Sequence, residues 1–188
     1  MKSIELSFSI VILAFLSSCI TERELLSKYD NSKKMSVSDT TNVVYSNKNL
    51  GGEQYQNLSD LLNGFHKIRI KEVQNHSLDS LFTKIEYDGN KKLKISLLKT
   101  DSLITSFSVK VKNNGNYLSL KRKFLLIPIP FIFFVHKQRK AIVFNNEEGD
   151  LVIINGESQL IWVLIANGNN FFHVNEFKQA KNKQIENK

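Results

Sequence analysis

The chain has 188 residues, with 26 Lys and Arg against 18 Asp and Glu and a net charge of +8. That length holds one domain with its own core, and a single Cys excludes an internal disulfide framework and any multi-Cys metal site. The basic balance favours anionic lipid headgroups or acidic polymers; with no basic helix, zinc-ligand spacing or aromatic stacking signature, nucleic acid is not expected as a partner.

The N-terminus reads as a secretory leader. Lys2 gives a positive start, Leu6 to Leu16 is a nearly uncharged apolar stretch, and the small residues Ser17 and Ser18 follow. The apolar stretch is too short for a permanent spanning helix. Residues 1–18 are therefore expected to be removed, which takes away one charge of each sign, Lys2 and Glu5.

Leu16, Ser17, Ser18 and Cys19 run in the order aliphatic, small, small, Cys. This resembles the lipobox of bacterial lipoproteins. The resemblance implies a diacylglyceryl group on the Cys19 thiol, cleavage before Cys19 and acylation of the new amino group. Each buried methylene contributes about 0.8 kcal/mol, so two or three chains suffice for stable attachment. The mature chain would then hold no free thiol, and the membrane is its first expected partner. Ile20, in place of an Asp, leans toward the outer membrane of a bacterial envelope under the sorting rule for such lipoproteins.

Residues 19–56 are expected to be the lipidated N-terminus and a flexible tether, rich in Ser, Asn, Lys and Thr, with Gly51-Gly52 near the end. As a coil, about 37 residues would span on the order of 30 to 40 Å. Within it, Thr21 to Tyr29 suits a turn or two of helix and Val43-Val44-Tyr45 a short strand. A short helix is expected over 58–66, with Ser59 as N-cap and Leu61, Leu62 and Phe65 on one face.

From Lys67 onward the period is two. Lys67-Ile68-Arg69-Ile70-Lys71 alternates, as do Leu93, Ile95 and Leu97 with Lys92, Lys94 and Ser96, and Phe107, Val109 and Val111 with Ser106, Ser108, Lys110 and Lys112. Strict alternation argues for half-buried antiparallel strands. Turn signals fall at Asp88-Gly89-Asn90, Asn113 to Asn116, Asn145 to Asp150 and Asn167-Gly168-Asn169. The expected fold is mainly β: an antiparallel meander of about eight or nine strands forming a curved sheet, sandwich or small barrel, with at most one or two short helices. The β-rich domain is expected over 57–176, with a polar tail over 177–188.

The segment 117–135 stands apart. The basic cluster Lys121, Arg122, Lys123 precedes twelve apolar residues, Phe124 to Val135, that include Pro128 and Pro130. Twelve residues cannot span a bilayer as a helix, and Pro is kept from central ladders. Two readings stay open: a strand, a proline bend and a second strand inside the core, or an exposed apolar lip beside the basic cluster. On the second, Lys121, Arg122, Lys123, Ile127, Pro128, Ile129, Pro130 and Phe131 would contact lipid or line a ligand's entry, with Phe171-Phe172 nearby. The Lys-Arg run before Ile127-Pro128-Ile129-Pro130, with Gly149 to Ile153 and the Trp162 strand, is similar to a pattern in small lipoproteins of Bacteroidota-type bacteria. That resemblance covers about the last half of the chain and implies no activity.

No enzyme is expected. His66, His76, His136 and His173 show no metal-ligand spacing, no phosphate-binding Gly-rich loop is present, and Gly156-Glu157-Ser158 lacks the second Gly of a nucleophile elbow. Glu147, Glu148 and Asp150 read as an acidic turn, Glu86 and Asp88 as a strand end and turn, and Trp162 as a core residue. Neither metal nor cofactor is expected. The function expected is a membrane-anchored lipoprotein whose non-enzymatic β domain binds an apolar or amphipathic ligand. The alternative is an accessory interaction lipoprotein with a protein partner in an envelope assembly.

Overall fold

Alternation of apolar and polar residues builds one continuous sheet. The structure, a computed structural model, describes residues 20–29, 35–37, 41–50, 57–66, 81–100, 102–126, 133–163 and 165–180. Its strands are β1 (Thr41–Ser46), β2 (Leu81–Tyr87), β3 (Lys92–Lys99), β4 (Ser102–Asn113), β5 (Leu118–Leu126), β6 (Phe133–Asn145), β7 (Leu151–Val163) and β8 (Ile165–Phe177). Among the described residues they form an eight-stranded antiparallel meander in sequence order, curled into a half-barrel with two short helices. In β3, Leu93, Ile95 and Leu97 are buried while Lys92 and Lys94 are exposed; in β4, Phe107, Val109 and Val111 are buried between exposed Ser106, Ser108, Lys110 and Lys112. The expected strand at Lys67–Lys71 lies outside the described residues.

Three of the four turn signals sit at strand reversals, where Gly89, Gly115 and Gly149 adopt φ of 81°, 85° and 85°. That left-handed region carries no Cβ penalty for glycine. The fourth differs. Asn167, Gly168 and Asn169 lie inside β8, opposite Ile161, Leu160 and Gln159 of β7, and the pair reverses instead between Val163 and Ile165. An Asn-Gly sequence permits a turn but does not impose one, and the continuous β7–β8 ladder holds it extended.

The meander closes on itself at one end. Ser46 N donates to Lys178 O at 2.8 Å and Ala180 N to Val44 O at 2.9 Å, joining β1 to the chain leaving β8. Tyr45 is fully buried there, its phenolic oxygen accepting from Asn145 Nδ2 at 2.7 Å, and burial pushes its hydroxyl above the ordinary value. Beside it, Asn49 Nδ2 donates to Asn175 Oδ1 at 2.9 Å and Asn175 Nδ2 donates to Asn155 Oδ1 at 2.8 Å. These bonds satisfy amides that burial would otherwise leave costly.

Each face of the sheet is covered by a helix. The concave face holds α2 (Leu58–Asn63), whose Leu58, Leu61 and Leu62, with Phe65 just after it, pack against Ile85, Ile95, Leu120, Val143 and Ile153. Its N-cap is Asn57, not the expected Ser59: Asn57 Oδ1 accepts from Asp60 N at 2.7 Å. Asn47 positions the helix start, its buried Oδ1 accepting from Ser59 N at 2.9 Å and Thr83 Oγ1 at 2.8 Å. The half-barrel is thus filled by side chains where it curls around α2.

The convex face holds α1 (Glu22–Leu26), started by a capping box between Thr21 and Glu24. Ile20 and Leu25 are buried against Ile142, Phe144, Val152 and Ile154. The Tyr29 ring meets Phe144 edge-on at 4.8 Å, and Lys28 Nζ lies 5.1 Å from the centre of Phe172. Where described, the segment expected as a tether is therefore packed body: residues 20–29 lie on the sheet and 41–46 form β1. Its polar composition hid four well-spaced apolar anchors, Ile20, Leu25, Val43 and Tyr45.

Candidate functional site

The sheet parts between β4 and β5. β5 follows β6 for its full length, yet it pairs with β4 only at Val111↔Leu120, Lys112↔Ser119 and Asn113↔Leu118. One further rung would set Lys110 opposite Lys121 on the same face. The ladder ends before that rung; like charge alone does not end it, since Lys92 faces Lys110 within β3–β4 and Lys121 faces Lys140 and Arg122 faces Arg139 within β5–β6. The next rung would set Val109 opposite Arg122, whose Nη1 instead donates to Gly64 O at 2.9 Å at the end of α2. A cation on the last carbonyls of a helix is favourable, and the bond ties β5 to the end of α2.

The parting leaves a cleft of about 560 Å³. Its walls are Lys92 and Lys110 on one side and Lys121, Arg122 and Lys123 on the other; its floor is Phe65, His66 and Val109. Five cations line it without a carboxylate among the described lining residues. The His66 ring stands edge-on to Phe107 at 5.6 Å. By contrast, the neighbouring cleft along β2 and β3 mixes signs, with Glu86 held between Lys94 at 2.8 Å and Lys84 at 3.2 Å. The Lys94 hydrogen bond, with that of Lys84, keeps the Glu86 carboxyl below its ordinary value.

Behind the cleft, the positive field reaches His136. Burial pushes its imidazole below the ordinary value, and the charge of Lys123 adds to that shift. The buried Nδ1 has no hydrogen-bond partner among the described residues. On the other side, Glu22 of α1 accepts from Ser119 Oγ at 2.8 Å and Tyr117 Oη at 3.0 Å. Burial alone would raise the Glu22 carboxyl, but these hydrogen bonds and the charges of Lys140 and Lys112 together hold it below its ordinary value.

No protein-family model, curated protein or solved structure matches the chain. What the cleft can do follows from its own chemistry. A dense cationic rim above the buried Phe65 and Val109 fits a phosphate or carboxylate group, with the aliphatic stems of the lysines beside it for an adjoining apolar portion.

Of the residues expected to form a site, Lys121, Arg122 and Lys123 come together at this cleft. Ile127, Pro128, Ile129, Pro130 and Phe131 lie outside the described residues, between β5 and β6, and so does Cys19. Phe171 and Phe172 part to opposite faces: Phe172 packs beneath α1, and Phe171 is 55% exposed. Sequence reasoning missed Lys92, Lys110, Phe65 and His66. Lys92 and Lys110 were visible as wet-face residues of alternating strands. No signal within either strand joins them to Lys121, because the point where β4 and β5 part is not written in the alternation of either one.

Among the described residues no group of three metal-ligating side chains is gathered. Glu147 and Glu148 are exposed at the β6–β7 turn, and Asp150 Oδ1 accepts from Gln179 N at 2.9 Å. Among the described residues no helix is long and apolar enough to cross a membrane.

Proposed function

We propose that this is a bacterial lipoprotein, held at the cell envelope by a diacylglyceryl group on Cys19, whose half-barrel binds an amphipathic molecule by its anionic head. The observation that carries the binding reading is the gathering of Lys92, Lys110, Lys121, Arg122 and Lys123 at one cleft, with no carboxylate among its described lining residues. The concave interior is occupied by α2, so an enclosed barrel-type ligand has no place against that helix, and the split is the route for a head group instead. Phosphate and carboxylate heads share the required chemistry, and the adjoining apolar part of the ligand would lie along the aliphatic stems of the cleft lysines. The reaction class is binding without turnover.

The test is titration of the purified mature domain with a phosphatidylglycerol-type lysolipid and, separately, with its zwitterionic choline counterpart. The anionic lipid should bind and the zwitterionic one should not. A Lys or Arg beside an anionic surface contributes about 1 kcal/mol, so the double variant Lys110→Glu, Lys123→Glu should lose at least about 2 kcal/mol, roughly 30-fold in Kd. Equal binding of both lipids, or an unchanged Kd in the double variant, would overturn the reading.

A further inference from the structure

One edge of the sheet is open and unguarded. β8 ends the strand order, and among the described residues β7 alone pairs along it, from Leu151↔Phe177 to Val163↔Ile165 without a register shift. The outer side of β8 is engaged at one end: Glu176 N donates to Asn49 Oδ1 at 3.2 Å, and Glu176 O accepts from Leu50 N at 2.9 Å. Both backbone groups of Glu176 therefore point away from β7. Successive residues of a strand alternate in the side their backbone groups face, so the N–H and C=O of Val174, Phe172, Asn170 and Gly168 point the same way as those of Glu176. Among the described residues nothing bonds to them there.

Natural sheets guard such edges with lysine, proline or a bulge. The edges that face the β4–β5 cleft carry Lys110, Lys121 and Lys123, and β1 is short and tied to residues 178–180. β8 has none of these devices. Residues 158–175 contain no Lys, Arg, Asp, Glu or Pro, in a chain of net charge +8. The exposed apolar side chains Phe171 (55%) and Val174 (42%) also lie on this stretch. A chain this basic repels a second copy over most of its surface, and an uncharged edge is where two copies can meet.

We infer that two copies of this chain join by antiparallel pairing of β8 with β8, across a two-fold axis at Phe171. The hydrogen-bonded rungs are Gly168 with the partner's Val174 and Asn170 with the partner's Phe172, all through their outward backbone groups. Phe171 meets the partner's Phe171 in a rung without hydrogen bonds, where side chains approach most closely and an aromatic pair is favourable. Val174 lies beside the partner's Gly168, which leaves room for it, and no rung sets charge against like charge. The Leu50 bond at Glu176 ends the seam. The basic cleft lies beyond β7, β6 and β5 and stays open, so this pairing stands apart from the ligand and anchor readings.

The test places a single thiol on the axis. In the full chain carrying Cys19→Ser, Phe171→Cys is oxidised with copper phenanthroline and run without reductant, and the same chain with Phe171 intact is measured by light scattering. Cα atoms across such a rung lie about 4.5 Å apart, within disulfide reach. The expected result is a dimer by light scattering and a disulfide-linked dimer of Phe171→Cys, with none from Leu103→Cys on β4, which is 61% exposed. Asn170→Pro removes an outward N–H, leaves the β7 ladder whole and by symmetry deletes a bond in each copy. It should weaken the dimer roughly 30-fold while the chain keeps a cooperative thermal transition. Should that variant unfold, the Phe171→Cys cross-link decides alone. A chain that stays monomeric at its highest soluble concentration would overturn the inference. So would a dimer that Phe171→Cys fails to cross-link, or one that folded Asn170→Pro leaves unchanged, since another surface would then join the copies.

Discussion

Gly156 shows how a missing side chain sets the position of a whole segment. A Cβ there would come within 2.9 Å of Ile20 Cδ1 and 3.1 Å of Leu25 Cδ2 and Phe172 Cδ1. The tips of Ile20 and Leu25 can shift to admit Ala, but a branched side chain would lift α1. Gly156→Val is expected to cost about 1–3 kcal/mol by overpacking. Hydrogen exchange at the Leu25 and Ser27 amides, which bond to Thr21 O and Arg23 O, should quicken while the β6–β7 ladder stays protected. Glu22 and His136 make the residue scale sensitive to pH. The folded Glu22 carboxyl lies below its ordinary value of 4.5, so its stabilising effect is complete above that pH and is lost as pH falls through the folded value. Protection of α1 should drop on acidification, and Glu22→Gln should remove the pH dependence; an unchanged profile in the variant would contradict that role. His136 has a folded value depressed below 6.5, so the unfolded chain binds its proton more readily and stability falls as pH drops from 6.5 toward the folded value. Its imidazole resonance should titrate with a midpoint below that of a free histidine.

At the scale of elements, each helix is too short to persist alone and is held by what it covers. α2 buries Leu58 and Leu62 at 0% exposure inside the sheet's curl. Leu62→Ala is expected to cost about 2–5 kcal/mol and to lower Tm by roughly 5–15 °C, read by thermal unfolding. The strands were legible from sequence because period-two alternation leaves a direct record of one wet face, as in Phe107 to Lys112. The two helices were legible as well, from Thr21 and from the Leu61, Leu62 and Phe65 face. Three features were not. Asn57 caps the helix because its Oδ1 takes Asp60 N and the Ser59 hydroxyl, while Ser59 N is satisfied by Asn47 Oδ1, twelve residues away in sequence. Asn167 to Asn169 continued a strand because ladder bonds to β7 outweighed local turn preference. The split between β4 and β5 depended on a register that no single strand displays, so Lys110 and Lys121 read as two separate surface residues.

At the scale of the whole molecule, closure at one end and parting in the middle give the half-barrel its character. Ser46, Ala180 and Leu50 tie β1 to the end of β8, while the β4–β5 gap leaves a basic window in an otherwise continuous sheet. The net charge of +8 adds a long-range attraction to anionic surfaces. Screening shortens that attraction from about 8 Å at physiological salt to about 3 Å at 1 M, so binding of anionic amphiphiles should weaken steadily over that range. A salt-independent Kd would contradict binding at the cationic cleft. The central proposal is lipid attachment at Cys19. Cys19→Ser in the full chain, followed by membrane fractionation and intact mass, is the most direct measurement. The wild-type chain should sediment with membranes carrying a diacylglyceryl mass, and the variant should lose both; a variant that still sediments at the wild-type mass would contradict the lipid anchor.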